Sequence, residues 1–153
     1  MTDQECMELA LQEAEQGIAA GDGGPFGAVV ILDGKVAGRG HNRVLLKHDP
    51  TCHGEMEAIR DACARLGTHD LSGAVIYTTG EPCPMCHGAI LWANIAGIVY
   101  GCRREDAEEA GFRDRVFHEQ ISGGTGGPVI REAFRERCRE LFARYREGEH
   151  TLY

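Results

Sequence analysis

The sequence contains no apolar run approaching the roughly 18–20 residues that a membrane span requires, so no transmembrane helix is expected. It also lacks basic excess: 16 Lys and Arg stand against 24 Asp and Glu, a formal net charge of −8. A chain of that sign has no overall attraction for phosphate backbones or anionic lipid, which disfavours a polynucleotide partner. The one arginine-rich stretch, Arg131 to Arg146, interleaves its six arginines with Glu132, Glu136 and Glu140 and reads as a salt-bridged helix face. The start, Met1-Thr2-Asp3-Gln4-Glu5, lacks the basic residues and apolar stretch of a secretory leader, and a cytoplasmic location is expected. A phosphate-binding or dinucleotide fingerprint is absent too. Gly21-Asp22-Gly23-Gly24 lies between a helix and a strand, the reverse of the order that motif needs.

What is present suits one globular domain over residues 1–153, with 42% hydrophobic residues to build a core. The seven cysteines are odd in number, which argues against a disulfide framework. Cys6, Cys63 and Cys138 fall at apolar helix positions and read as small core residues. Trp92, at helical spacing from Ala89, reads as core or interface.

Thr2 and Glu5 form a capping-box pattern, and Cys6, Leu9, Ala10, Ala14 and Ile18 recur at helical spacing, predicting a helix to about Ala20. Gly27 to Leu32 is a continuous apolar strand, Asp33-Gly34 a hairpin turn, and Lys35 to Asn42 the returning strand. A loop to Pro50 precedes a helix from about His53. Then come a strand at 74–79, a helix from Pro84 to Ala93, a strand at 98–102 and a short helix at 104–110. Ser122 to Pro128 is a glycine-rich loop, and Glu132 to Glu147 a last amphipathic helix. This order implies an α/β fold: a three-layer α-β-α sandwich around a mixed sheet.

Three residues have the types and spacing of zinc ligands. His53 opens one helix, and Cys83 and Cys86 open another within Pro82-Cys83-Pro84-Met85-Cys86. Residues three apart share a helix face, so both sulfurs can reach one ion, and a helix N-terminus favours their thiolate forms. Three ligands leave a position for water, as in a catalytic zinc site, whereas a structural site closes with four. Cys52 and His87 are the candidates for a fourth. Glu55, two residues past His53, can stay off the metal yet face that water as general base and then acid.

His53-Gly54-Glu55 followed by Pro82-Cys83-Pro84-Met85-Cys86 resembles the zinc-deaminase signature H-x-E…P-C-x-x-C. The resemblance continues through Gly24-Pro25-Phe26-Gly27-Ala28, Asp49-Pro50-Thr51 and Gly88-Ala89-Ile90. The chain is thereby identified as a member of the zinc-dependent cytidine/deoxycytidylate deaminase superfamily. It is most similar to bacterial guanine deaminases of cytidine-deaminase fold. That resemblance implies a bound Zn2+, a small amino-heterocycle and water as partners, and release of ammonia. It implies Asn42 as the amide reading the base edge, Phe26 as an apolar pocket residue and Asp114 as a second catalytic acid. It also implies a main-chain carbonyl from Glu81 for the amine, and Tyr153 as the aromatic that closes the pocket. A homodimer that exchanges residues 129–153 is implied as well.

Departures are visible. Gly54 stands where alanine is usual beside the catalytic glutamate, Gly80 where cysteine or serine is common, and Arg113 where an acid precedes Asp114. Guanine is the favoured substrate. Cytosine, a guanosine-type nucleoside or another amino-heterocycle stays open, with tRNA adenosine deamination or a non-catalytic zinc module behind them. Arg113 itself reads as a surface charge.

Overall fold

The computed structural model describes residues 1–153. Helix α1 (Asp3–Ala20) opens with a reciprocal capping box. Thr2 Oγ1 accepts the Glu5 N–H at 3.2 Å, and the Glu5 carboxylate accepts the Thr2 N–H at 2.7 Å. Strands β1 (Gly27–Leu32) and β2 (Lys35–His41) form an antiparallel hairpin. Asp33 and Gly34 both take positive φ at its tip, as a type I′ turn demands.

The next segment is not all loop, as expected, but holds a short helix, α2 (Val44–Lys47). The main-chain oxygen of Asp22 accepts the N–H groups of Leu45 and Leu46, a tertiary bond that local sequence does not announce. Then follow α3 (Gly54–Leu66), β3 (Val75–Gly80), α4 (Pro84–Trp92) and β4 (Gly97–Cys102). After β4 come α5 (Arg104–Glu109), α6 (Asp114–Ile121) and α7 (Arg135–Glu147). The sequence reading has no counterpart for α6, and α7 begins three residues later than expected.

The four strands lie in the order β2-β1-β3-β4. β1 is antiparallel to β2 and β3, and β3 is parallel to β4 through the α4 crossover. β1 is central and buried on both faces, which is why its sequence is apolar without alternation. Ala28 and Val30 pack toward α3 and α4 with Ala58, Ala62, Ile76 and Ile90. Val29 and Ile31 pack toward α1 with Cys6, Ala10 and Tyr77. The molecule is thus three layers: α1, the mixed sheet, then α3 with α4.

Cys6 is buried in the α1 layer and Cys63 is partly buried against the other core, in line with their sequence positions. Cys138 corrects the reading: it is exposed, because no residue of α7 is buried. Trp92 is 66% exposed, which removes it from the core.

Candidate active site

Two helices begin at one place. His53 and Cys83 are the N-cap residues of α3 and α4, both in extended backbone. An N-cap side chain usually turns back to bond its own helix. Neither does so here; the two turn toward each other. His53 Nδ1 lies 3.5 Å from Cys83 Sγ and 3.6 Å from Cys86 Sγ. The three ligand atoms all lie within 4.8 Å of one another. A tetrahedral zinc ion, with bonds of about 2.3 Å to sulfur and about 2.0–2.1 Å to nitrogen, sets nitrogen and sulfur about 3.6 Å apart. The three residues therefore fit the ion. Cys52 lies instead against Arg60, 3.7 Å from Nη1, and His87 is exposed, so neither completes a four-ligand site.

The electrostatics agree. The unsatisfied N–H ends of α3 and α4 face the centre and favour anionic ligands. A hydrogen bond from Cys86, aided by His53, pulls the Cys83 thiol toward thiolate. The same bond and burial push Cys86 the other way. A divalent cation held by these sulfurs would displace their protons. The bond to Cys83 raises His53 despite its burial.

Glu55, on the first turn of α3, is 4% exposed. Burial pushes its carboxyl above the usual carboxylate range. Thr78, fully buried on β3, donates Oγ1–H to Glu55 Oε1 at 2.8 Å and works against that rise. A carboxyl held in this balance can both take and return a proton. Thr78 escaped the sequence reading. The signal was there: it shares the α3-facing side of its strand with Ile76, and a buried hydroxyl needs a partner.

A cavity of about 710 Å3 joins His53, Glu55 and Cys83 to Phe26, Asn42, Glu81 and Asp114. Asn42 is buried at the end of β2, where its Oδ1 accepts the Val44 N–H at 3.1 Å. That bond leaves the Nδ2 hydrogens for a ligand. The Phe26 ring meets Phe112 edge-on at 4.8 Å. Thr79 anchors the segment before it, accepting the Gly27 N–H at 3.1 Å and donating to the Pro25 carbonyl at 3.2 Å. Gly54 has its reason here: a Cβ would sit 2.9 Å from the Phe26 carbonyl oxygen, so glycine lets this segment rest on the start of α3. Arg104 bonds the Glu81 carboxylate at 2.9 Å and holds it below the usual carboxylate range. Asp114, at the start of α6, is raised by burial and by Cys83. Arg113 is more than a surface charge: it lines the cavity and lies over the Phe117 ring at 5.1 Å.

Tyr153 is not brought there. Its ring lies 5.7 Å from His69 and 5.9 Å from Trp92, at the opposite end of α4 from Cys83.

Comparison with known proteins places this geometry. Residues 1–102 match the cytidine and deoxycytidylate deaminase zinc-binding region. The guanine deaminase of Bacillus subtilis is 44% identical over 121 residues, covering 79% of this chain and 78% of that protein. A tRNA-specific adenosine deaminase of Agrobacterium fabrum is 45% identical over 144 residues, covering 86% of this chain and 93% of that protein. The crystal structure of the Bacillus subtilis guanine deaminase superposes with a TM-score of 0.90 at 37% identity, over 100% of this chain and 99% of the other. By the span of that family match and the identity to full-length relatives, this chain belongs to the cytidine and deoxycytidylate deaminase family and is a zinc-dependent hydrolase of carbon–nitrogen bonds.

Proposed function

We propose that the chain deaminates a free aminopurine, with guanine the first substrate to test. The observation that carries this reading is the superposition of the whole chain, C-terminal segment included, on a guanine deaminase. His53, Cys83 and Cys86 are the residues that would hold the ion. Zinc, when bound, supplies a water acidic enough to act as nucleophile near neutral pH. The net reaction replaces the ring C–NH2 with C=O, consuming one water and releasing one ammonia. Glu55 takes one proton of the attacking water and delivers it to the ring nitrogen, then carries the second, from the hydroxyl on the tetrahedral carbon, to the amine, which departs as ammonia. The Asn42 Nδ2–H group donates to the base edge, Asp114 accepts ring or amine hydrogens, and the Glu81 carbonyl accepts from the amine. Phe26 supplies an apolar wall. A base that leaves these buried polar groups unpaired is rejected strongly.

Two features support a closed site built from two copies. No residue of α7 is buried, and Tyr153 stays away from its own chain's cavity. In this reading residues 129–153 pass to a partner copy, where Tyr153 covers the pocket.

A second substrate class has its own support. The cavity of about 710 Å3 has room beyond a bicyclic base, and Arg113 on its wall makes no ion pair in the chain. A nucleoside or a larger amino-heterocycle belongs in the same assay. The net charge of −8 argues against a polynucleotide, the substrate class of the Agrobacterium relative.

The test is ammonia release by zinc-loaded protein from guanine and a panel of purines, pyrimidines, pterins, triazines and nucleosides, beside Glu55→Gln. Release from guanine that the variant loses supports the proposal. Release only from another class moves the substrate. Silence throughout, with one zinc per chain, overturns free-heterocycle deamination.

A further inference from the structure

On the α1 side of β2 lies a buried cluster that the chemistry above does not use. His41, 7% exposed, sits between two carboxylates from different parts of the chain. Its Nδ1 is 3.2 Å from Glu13 Oε2 on α1, and its Nε2 is 2.7 Å from Asp22 Oδ2 in the loop after α1. Carboxylate oxygens only accept, so both contacts are hydrogen bonds when each ring nitrogen carries a hydrogen. Arg39, two residues earlier on the same strand face, reaches Glu13 at 3.6 Å from outside. The ring lies against α1 where a side chain is missing: a Cβ on Gly17 would stand 2.6 Å from His41 Cδ2.

The neighbours of this cluster belong to the pocket. His41 immediately precedes Asn42, and Asp22 immediately precedes Gly23; Asn42 and Gly23 both line the cavity. Gly23 presses on the Asn42 side chain so closely that a Cβ there would overlap Oδ1. Asp22 also holds α2, accepting the Leu45 and Leu46 N–H groups at 3.1 and 3.0 Å. Val44, whose N–H fixes the Asn42 amide, and Leu45 line the same cavity. One imidazole thus ties α1 and the 21–24 loop to the strand end that carries the amide.

We propose that His41 is a positioning residue for substrate recognition: its bridge between Glu13 and Asp22 sets the pocket wall formed by Gly23, Asn42 and α2, and so the orientation of the Asn42 amide. The inference rests on the reading of this cavity as a deaminase pocket. His53, Cys83, Cys86 and Glu55 stand on other elements, so loosening the bridge weakens recognition and spares the chemical step.

The experiment is steady-state kinetics of zinc-loaded His41→Leu, Asp22→Asn and Gly17→Ala on whichever panel base the parent deaminates, with thermal midpoints and zinc content alongside. Asp22→Asn keeps shape and one acceptor but removes a charge. Gly17→Ala displaces the ring without altering any partner, and alanine suits a helix better than glycine. The expected result is a KM raised about tenfold in His41→Leu, the scale of one misplaced hydrogen bond, with kcat within about threefold of the parent. Smaller KM increases are expected in the other two. If His41→Leu does not fold, Asp22→Asn and Gly17→Ala decide by the same criterion. Folded, zinc-loaded variants with the parent's KM, or with kcat lowered and KM unchanged, overturn the proposal. A parent that releases no ammonia from any base overturns the deaminase reading instead, an outcome visible before any variant is made.

Discussion

Thr78 shows how much one hydroxyl can decide. It is the side-chain donor to Glu55, in a place with no exposure to water. Thr78→Val keeps the volume and removes the donor. A hydrogen bond to a charged group contributes about 1.5–3 kcal/mol. The expected outcome is a kcat lower by about 10- to 100-fold, with zinc content unchanged, read by ammonia release and metal analysis. Glu55→Gln, which removes the proton carrier itself, is expected to lower kcat by at least about 100-fold while zinc stays bound. Loss of zinc in that variant would mean Glu55 holds the metal rather than the proton.

At the scale of elements, α3 is what must be placed well, because it carries His53 and Glu55 at one end. Its approach to β2 depends on Gly38, where a Cβ would lie 2.4 Å from Ala62 N and 2.5 Å from Ala58 O. Both are helix backbone, which cannot step aside singly. Gly38→Ala is expected to destabilise the fold by about 1–3 kcal/mol in urea denaturation. A second tie joins α3 to α2: buried Glu57 meets Lys47 Nζ at 2.8 Å and Arg60 Nη1 at 2.6 Å. Burial pushes the Glu57 carboxyl up, but the hydrogen bonds from Lys47 and Arg60 outweigh it and the group ends below its usual value. A lowered carboxylate adds stability above its unfolded value, about 4.3, and loses it as pH falls through the lower folded value. Glu57→Gln is therefore expected to be less stable than the parent near pH 7, by about 1 kcal/mol because the cations are part-exposed. The difference should close below about pH 4. A gap that persisted in acid would assign the effect to packing.

For the whole molecule, the question is where the C-terminal segment belongs. Val129, Ile130, Phe134 and Phe142 are all at least 75% exposed in the single chain. So much apolar surface on one segment suits a partner. If Tyr153 covers the pocket of a second copy, two defective chains can repair each other. A mixture of Glu55→Gln and Tyr153→Ala chains, unfolded and refolded together, is expected to show more activity than the two refolded apart. Each mixed dimer would hold one pocket with an intact Glu55 covered by an intact Tyr153. Activity equal to the sum of the parts would place Tyr153 outside the partner's site.

The sequence by itself determined most element boundaries, and it pointed to His53, Cys83 and Cys86, which the fold brings within 4.8 Å of one another, and to Glu55 beside them. These rest on local rules: residues three apart share a helix face, Pro84 begins a helix, and Asp33-Gly34 turns a hairpin. Only the tertiary structure decided the rest, because each point depends on residues far apart in the chain. α2 forms where Asp22 accepts its N–H groups, Thr78 matters because α3 brings Glu55 to it, and Cys138 stays exposed because α7 buries none of its residues within the chain. His41 had no visible partner in the sequence, since Glu13 lies 28 residues away and Asp22 19. A spacing of that length carries no periodicity to read; only the folded layers of helix and sheet bring the three together.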